Sequence, residues 1–135
     1  MAEIRYLGVL DVEALHVFIM ERTGDAPSPV RDRALLESAV MRPRMAAYYT
    51  DADLIEQAAL LAVGISHAQA FLEGNKRTAL LAAEVFLRAN GWLFRGDPME
   101  MARQLEEVST RKGSIDEATA RFTDWLRRTV VRGIA

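Results

Sequence analysis

Five consecutive residues carry most of the chemistry visible in this chain: Glu73, Gly74, Asn75, Lys76 and Arg77. They open an apolar run, Ala79 to Leu87, whose spacing predicts a helix from about Asn75 to Ala89. The first turn of a helix leaves backbone N–H groups without partners, and the helix dipole is positive there. Lys76 and Arg77 add two cations to that end, against the dipole. A bound anion resolves the conflict, which points to a phosphate. Gly74 lets a ligand approach the backbone closely. Glu73 offers a hard oxygen suited to Mg²⁺ shared with a phosphate. Spacing alone also allows a plainer reading, a helix start with Lys76 and Arg77 solvated.

The elements that must position these residues are helical. Asp11 is expected to cap a first helix with Val12, Leu15, Phe18 and Ile19 on one stripe, ending at Gly24. Pro27 and Pro29 make an extended loop. A second helix fits residues 31 to about 41, stopped by Pro43. Asp51 or Asp53 starts a third, rich in Leu54, Ile55, Ala58, Leu61, Ala62 and Ile65. The fourth is apolar nearly all round, which places it at the centre of a bundle. Asn90-Gly91 closes it. Pro98 suits the first turn of a fifth helix with Met101 and Leu105 inward. Ser114 and Glu117 form a capping-box pattern for a sixth, through Phe122, Trp125 and Leu126. Strand signals are limited to residues 4–9 and 92–94. The polar stretch from Glu73 to Arg77 thus lies between two buried helices, at the mouth of the core.

Composition bounds the answer from outside. A chain of 135 residues fits one domain, 1–135. A domain of this size buries roughly two-thirds of its unfolded surface and needs no staple. The net charge of -2 argues against a general nucleic-acid binder. The absence of cysteine removes thiolate zinc sites and cysteine nucleophiles. Two histidines, His16 and His67, are too few for a multi-histidine metal cage. No apolar run approaches the length of a membrane span. Met1 to Ile19 carries Glu3, Asp11 and Glu13 and lacks a signal-peptide layout, so a cytoplasmic location is expected, with no membrane partner.

The run Phe71-Leu72-Glu73-Gly74-Asn75-Lys76-Arg77-Thr78-Ala79-Leu80 resembles the signature of the Fic/Doc family, H-x-F-x-[D/E]-[G/A]-N-[G/K]-R. Its lysine form followed by Thr-Ala resembles the Doc, or death-on-curing, branch. Phe86 to Gly91 is similar to the "FLxxNG" closing the same helix in that branch, and Arg31 to Ala39 to its "RDxxLLESA" helix. Leu15-His16 and the Gly24 loop sit where Doc-like chains have "ALH" and a glycine-containing loop. The resemblance implies a compact all-α single-domain bundle with a short flap near residues 25–30. It implies ATP or another nucleoside triphosphate with Mg²⁺, and transfer of a phosphoryl or nucleotidyl group to a hydroxyl on a protein. Fic enzymes usually transfer AMP; Doc toxins are associated with phosphorylation of elongation factor Tu and arrest of translation. A cognate antitoxin is the expected partner. Carried over by position, Glu73 matches the metal ligand. Gly74, Asn75 and Lys76 match the anion-binding turn. Arg77 matches the arginine on nucleotide phosphate, and Phe71 the buried anchor. Lys76, a long cation where Fic has glycine, bears on which phosphorus faces the acceptor.

One position departs. The signature histidine, the family's general base, is replaced by Gln69, which has no usable pKa. His67 lies two residues earlier; in a helix that shift turns the side chain about 200° away. General-base catalysis is worth about 10²–10⁴-fold, whereas phosphoryl transfer relies mostly on positioning and electrostatics. Gln69 therefore predicts impairment rather than silence, or a role in orienting the acceptor. The alternative is a pseudoenzyme that binds nucleotide or a partner without transfer. His16 reads as structural. Arg31, Arg33, Arg42 and Arg44 read as a solvated face or a basic edge, and Tyr48-Tyr49 as core or rim packing or as a pair that stacks on a base. The inhibitory pattern of many Fic proteins, [S/T]-x-x-x-E-[G/N], does not occur.

Overall fold

The structure is a computed structural model that describes residues 3–133. Its centre is the antiparallel pair formed by α3 (Leu54–Ala68), the most apolar helix of the chain, and α4 (Asn75–Ala89). Residues of α3 are buried on nearly every side, including Ala58, Ala59, Leu61, Ala62 and Val63. A helix without a polar face must be covered all round. Here α2 (Arg33–Thr50) and α6 (Ile115–Thr129) cover α3, while α1 (Val9–Arg22) covers α4. Next, α5 (Pro98–Ser109) packs on α6. Two short strands, β1 (Trp92–Phe94) and β2 (Val130–Arg132), pair antiparallel with Trp92 opposite Arg132 and Phe94 opposite Val130. Six helices among the described residues make this the expected all-α architecture. No described helix is long and apolar enough to cross a membrane.

Helix starts follow local chemistry. Asp53 Oδ1 accepts from Glu56 N–H at 2.9 Å, and Ser114 Oγ from Glu117 N–H at 3.1 Å. Asp97 caps α5 ahead of Pro98. Asp11, however, is not a cap. Gly8 holds that place, and Asp11 lies in the first turn, where its Oδ2 accepts from Gly8 N–H at 2.8 Å. The buried stripe of α1 is Val12, His16 and Met20; Phe18 is exposed. Gly24 ends α1 as expected: it lies just past the C-cap Thr23 in the left-handed conformation, φ +86°, and its N–H reaches the Glu21 carbonyl at 3.2 Å.

Two further expectations are corrected. Pro43 does not stop α2, which continues to Thr50 with Pro43 buried inside it. A mid-helix proline costs about 3 kcal/mol, so packing must outweigh it. Ala39, Val40 and Pro43 bury a face against α3, where Gly64 permits close approach: a Cβ there would sit 3.5 Å from Ala39 Cα. Residues 4–8 form no strand. They are tied to α4 instead, by Arg5 N–H to Asn90 Oδ1 at 2.8 Å and Asn90 Nδ2 to the Arg5 carbonyl at 3.0 Å. The closing Asn90 therefore fastens the amino-terminal segment, and the left-handed residue is Gly91 at φ +87°.

Candidate active site

Between α3 and α4 the chain makes a six-residue descent, 69–74, into the core and out again. Gln69 ends α3 in the left-handed conformation, φ +52°. Ala70 and Phe71 are buried. The Ala70 carbonyl accepts from Arg31 N–H at 2.6 Å and Asp32 N–H at 3.2 Å, and Phe71 forms an isolated bridge with Val30. The segment around residues 25–30 is thus pinned to the turn. Asn75, itself buried, clamps the other side: Phe71 N–H donates to Asn75 Oδ1 at 3.0 Å, and Asn75 Nδ2 donates to the Phe71 carbonyl at 2.9 Å. Two bonds to the backbone of one buried residue rigidify the turn far more than an exposed contact does. Phe71 is buried and stacks on His16 with ring centroids 3.8 Å apart and planes 8° apart.

Gly74 is required here, for a reason the sequence did not disclose. Its φ is +78°, and an added Cβ would lie 2.3 Å from Met20 Sδ and 3.2 Å from His16 Cε1. The space beside it is filled by α1. No side chain caps α4, and no acidic residue lies in its first turn. The Thr78 N–H reaches the Gly74 carbonyl at 2.9 Å. The N–H groups before it lie beyond the reach of the helix's own carbonyls and present the positive end of the dipole. Glu73 is exposed immediately before this turn.

The two cations are accommodated by carboxylates from elsewhere in the chain. Lys76 Nζ pairs with Glu106 of α5. Arg77 reaches Asp25 Oδ2 and Thr23 Oγ1, each at 2.7 Å. Both pairs are substantially exposed, so solvent screens them and a doubly charged phosphate can compete for the same donors. A single carboxylate, Glu73, fits the way Mg²⁺ is ordinarily held, by one or two protein oxygens and the substrate's own phosphates. The donor set suits a nucleoside triphosphate with Mg²⁺.

Gln69 offers no base. Its Nε2 donates to the Ser66 carbonyl at 2.8 Å, closing the end of α3, and its own carbonyl accepts from Arg31 at 2.5 Å. His67 does not replace it. The helix continues through Ala68, so His67 points elsewhere, with Nε2 3.4 Å from Ser109 Oγ. Burial, helped by Arg111 and Arg42, lowers its pKa. His16 was the residue underrated by sequence. It is buried, its pKa is lowered by burial and by the nearby Arg77, and it bonds Thr78 and Ser28. Its spacing from Val12 and Met20, i and i+4 on one face, was the available signal. The arginines do not form one basic edge: Arg33 pairs with Glu13, and Arg44 lies over the Tyr6 ring. Tyr48 and Tyr49 are exposed, set edge to face.

Comparison with known proteins agrees with this geometry. The model of the Fic/DOC family matches residues 6–87, from the segment before α1 to the last turns of α4. "Toxin Doc" of Mycolicibacterium smegmatis is 40% identical over 95 residues, covering 67% of this chain and 73% of that one. "Protein kinase doc" of Escherichia phage P1 is 29% identical over 128 residues, covering 93% and 95%. With the motif turn at the head of a buried helix and a family match over more than half its length, the chain belongs to the Fic/DOC family as a Doc-like member.

Proposed function

We propose that this protein is a Doc-like toxin that transfers a phosphoryl group, or alternatively a nucleotidyl group, from ATP or another nucleoside triphosphate to a hydroxyl on a protein. A translation factor such as elongation factor Tu is the target class the resemblance implies, and a cognate antitoxin the partner. The observation carrying this reading is the uncapped first turn of α4, flanked by Glu73, Lys76 and Arg77. Similarity to proteins described as a toxin and a protein kinase supports it.

In this reading the N–H groups of Asn75 and Lys76 hold phosphate oxygens at the positive helix end. Arg77 leaves Asp25 to grip the same phosphates through its planar fork. Lys76 leaves Glu106 and adds a point charge. Glu73 would hold a Mg²⁺, and the ion would supply neutralisation of the phosphate charge. Gln69 orients the acceptor hydroxyl without taking its proton, after its amide leaves the Ser66 carbonyl; the hydroxyl oxygen bonds the γ-phosphorus as the bond to the nucleoside diphosphate breaks, and the proton passes to a phosphoryl oxygen or to solvent. Positioning and electrostatics supply most of phosphoryl-transfer catalysis, so such a site runs slowly rather than not at all.

A second reading is favoured by one observation, the use of the Gln69 amide to close α3. It is a pseudoenzyme that binds nucleotide or a partner without transfer. Gln69→His separates the two. Label transfer from γ- or α-labelled ATP to protein is expected to rise about 10²-fold or more, the worth of a general base; no change favours pure binding. Growth arrest on expression in bacteria is expected to disappear in Glu73→Ala/Arg77→Ala. Full toxicity from that double variant overturns the proposal.

A further inference from the structure

His16 sits where three parts of the site meet, and its bonding fixes its chemical form. The Ser28 backbone N–H lies 3.3 Å from His16 Nε2, and the Ser28 hydroxyl 3.2 Å from the same nitrogen. A backbone N–H can only donate, so Nε2 is an acceptor. The neutral ring then carries its proton on Nδ1, which donates to Thr78 Oγ1 at 2.9 Å. The ring face is covered by Phe71 at 3.8 Å, and Cε1 lies beside the position a Gly74 Cβ would take.

These bonds span the partners of Arg77. Thr78 follows Arg77 directly in α4. Ser28 lies three residues after Asp25, whose carboxylate holds the Arg77 guanidinium. The Arg77–Asp25 pair is exposed, and exposed pairs contribute at most about 1 kcal/mol. It cannot hold the 25–30 segment by itself. Buried hydrogen bonds whose loss strands a polar group are costlier to break. The Val30–Phe71 bridge and the bonds from Arg31 and Asp32 to the Ala70 carbonyl pin the carboxyl end of that segment; His16 sets how far its middle, at Ser28, stands from the first turn of α4.

We propose that His16 is a positioning residue: as the neutral Nδ1–H tautomer it bridges Thr78 to Ser28 and so sets the place of the 25–30 segment over Arg77. The inference takes from the proposed function only that Arg77 meets phosphate; the bridge itself stands on the geometry. His16 touches no substrate in this role. It acts through Thr78, Ser28 and Asp25.

The test uses the full ¹⁵N-labelled chain and three forms of residue 16. In the wild type, the ¹⁵N shifts of the ring are expected to show an unprotonated Nε2 and a protonated Nδ1 at neutral pH. The opposite tautomer, or an imidazolium, overturns the proposal. His16→Phe keeps the stack on Phe71 and removes the bonds to Thr78 and Ser28. It is expected to speed hydrogen exchange at Ser28 N–H at least about tenfold while amides of α3 stay protected. His16→Gln places an amide oxygen near the Nε2 position and is expected to restore much of that protection. Ser28 exchange unchanged in a folded His16→Phe overturns the proposal, as does His16→Gln failing to differ from His16→Phe. Titration with ATP and magnesium is expected to show affinity about tenfold weaker in His16→Phe than in wild type. If the wild type takes up no ATP, the nucleotide reading falls, and Ser28 exchange still decides the role of His16.

Discussion

Gly74 shows how a motif residue can serve packing as much as ligand approach. Glycine alone occupies φ +78° without strain, and the Met20 thioether lies where a Cβ would be. Gly74→Ala is therefore expected to lower stability by about 1–3 kcal/mol in urea unfolding, from backbone strain and overpacking together. The two causes separate in a double-mutant cycle. Met20→Ala removes the obstructing sulfur, so Gly74→Ala is expected to cost less in that background, the remainder being strain. An unchanged cost means that Met20 yields freely and only the conformation matters. Asn75 belongs to the same group: its side chain, bonded twice to Phe71, is spent on the shape of the turn and leaves its backbone N–H for a ligand.

Helices α3 to α6 were legible in the sequence because their ends are written locally. Asp53, Asp97 and Ser114 each accept from a backbone N–H two or three residues on. The motif turn was legible for the same reason. What escaped was non-local. Pro43 obeys its local rule in isolation, but α2 continues because its buried face is worth more against α3. A three-residue strand has too few positions for a period, so β2 gave no signal. Asp25 and Glu106 hold Arg77 and Lys76 across separations of 52 and 30 residues, which no spacing rule reaches. Asp53 combines both kinds of contact, capping α3 and meeting Arg127 Nη1 at 2.6 Å. Burial raises its pKa, but the bonds from Arg127 and from the Glu56 N–H outweigh that and leave it lowered. Asp53→Ala is expected to cost about 0.5–2 kcal/mol, the worth of an N-cap, and Arg127→Ala at most about 1 kcal/mol, the worth of an exposed pair. Urea unfolding checks the order; equal losses from both would assign the effect to the ion pair.

The whole molecule combines these residues in its response to pH. His16 is buried and His67 half-buried, each with a pKa lowered first by burial and then by arginines. The unfolded chain takes up protons on both near the ordinary value of 6.5, while the folded chain resists. Stability therefore rises with pH through that window and falls as pH drops below about 6.5. Burial of Glu84 works the other way. Its raised pKa lets the folded chain keep a proton that the unfolded chain has lost, so it destabilises as pH climbs above 4.5. The two effects oppose each other in sign, so the net slope between pH 5.5 and 7.5 measures the histidines against Glu84. For His16 the loss has a structural cause beyond desolvation. A protonated ring would turn Nε2 into a donor and forfeit the bond from the Ser28 N–H, leaving the Ser28 hydroxyl oxygen as its acceptor there. Melting temperature is expected to fall between pH 7.5 and 5.5, and the fall to shrink in His16→Gln, whose side chain does not titrate. His67→Gln should shrink it less, because His67 has the looser contact, 3.4 Å to Ser109. A flat profile in the wild type, or a full-sized fall in both variants, would show that neither imidazole is held neutral by the fold.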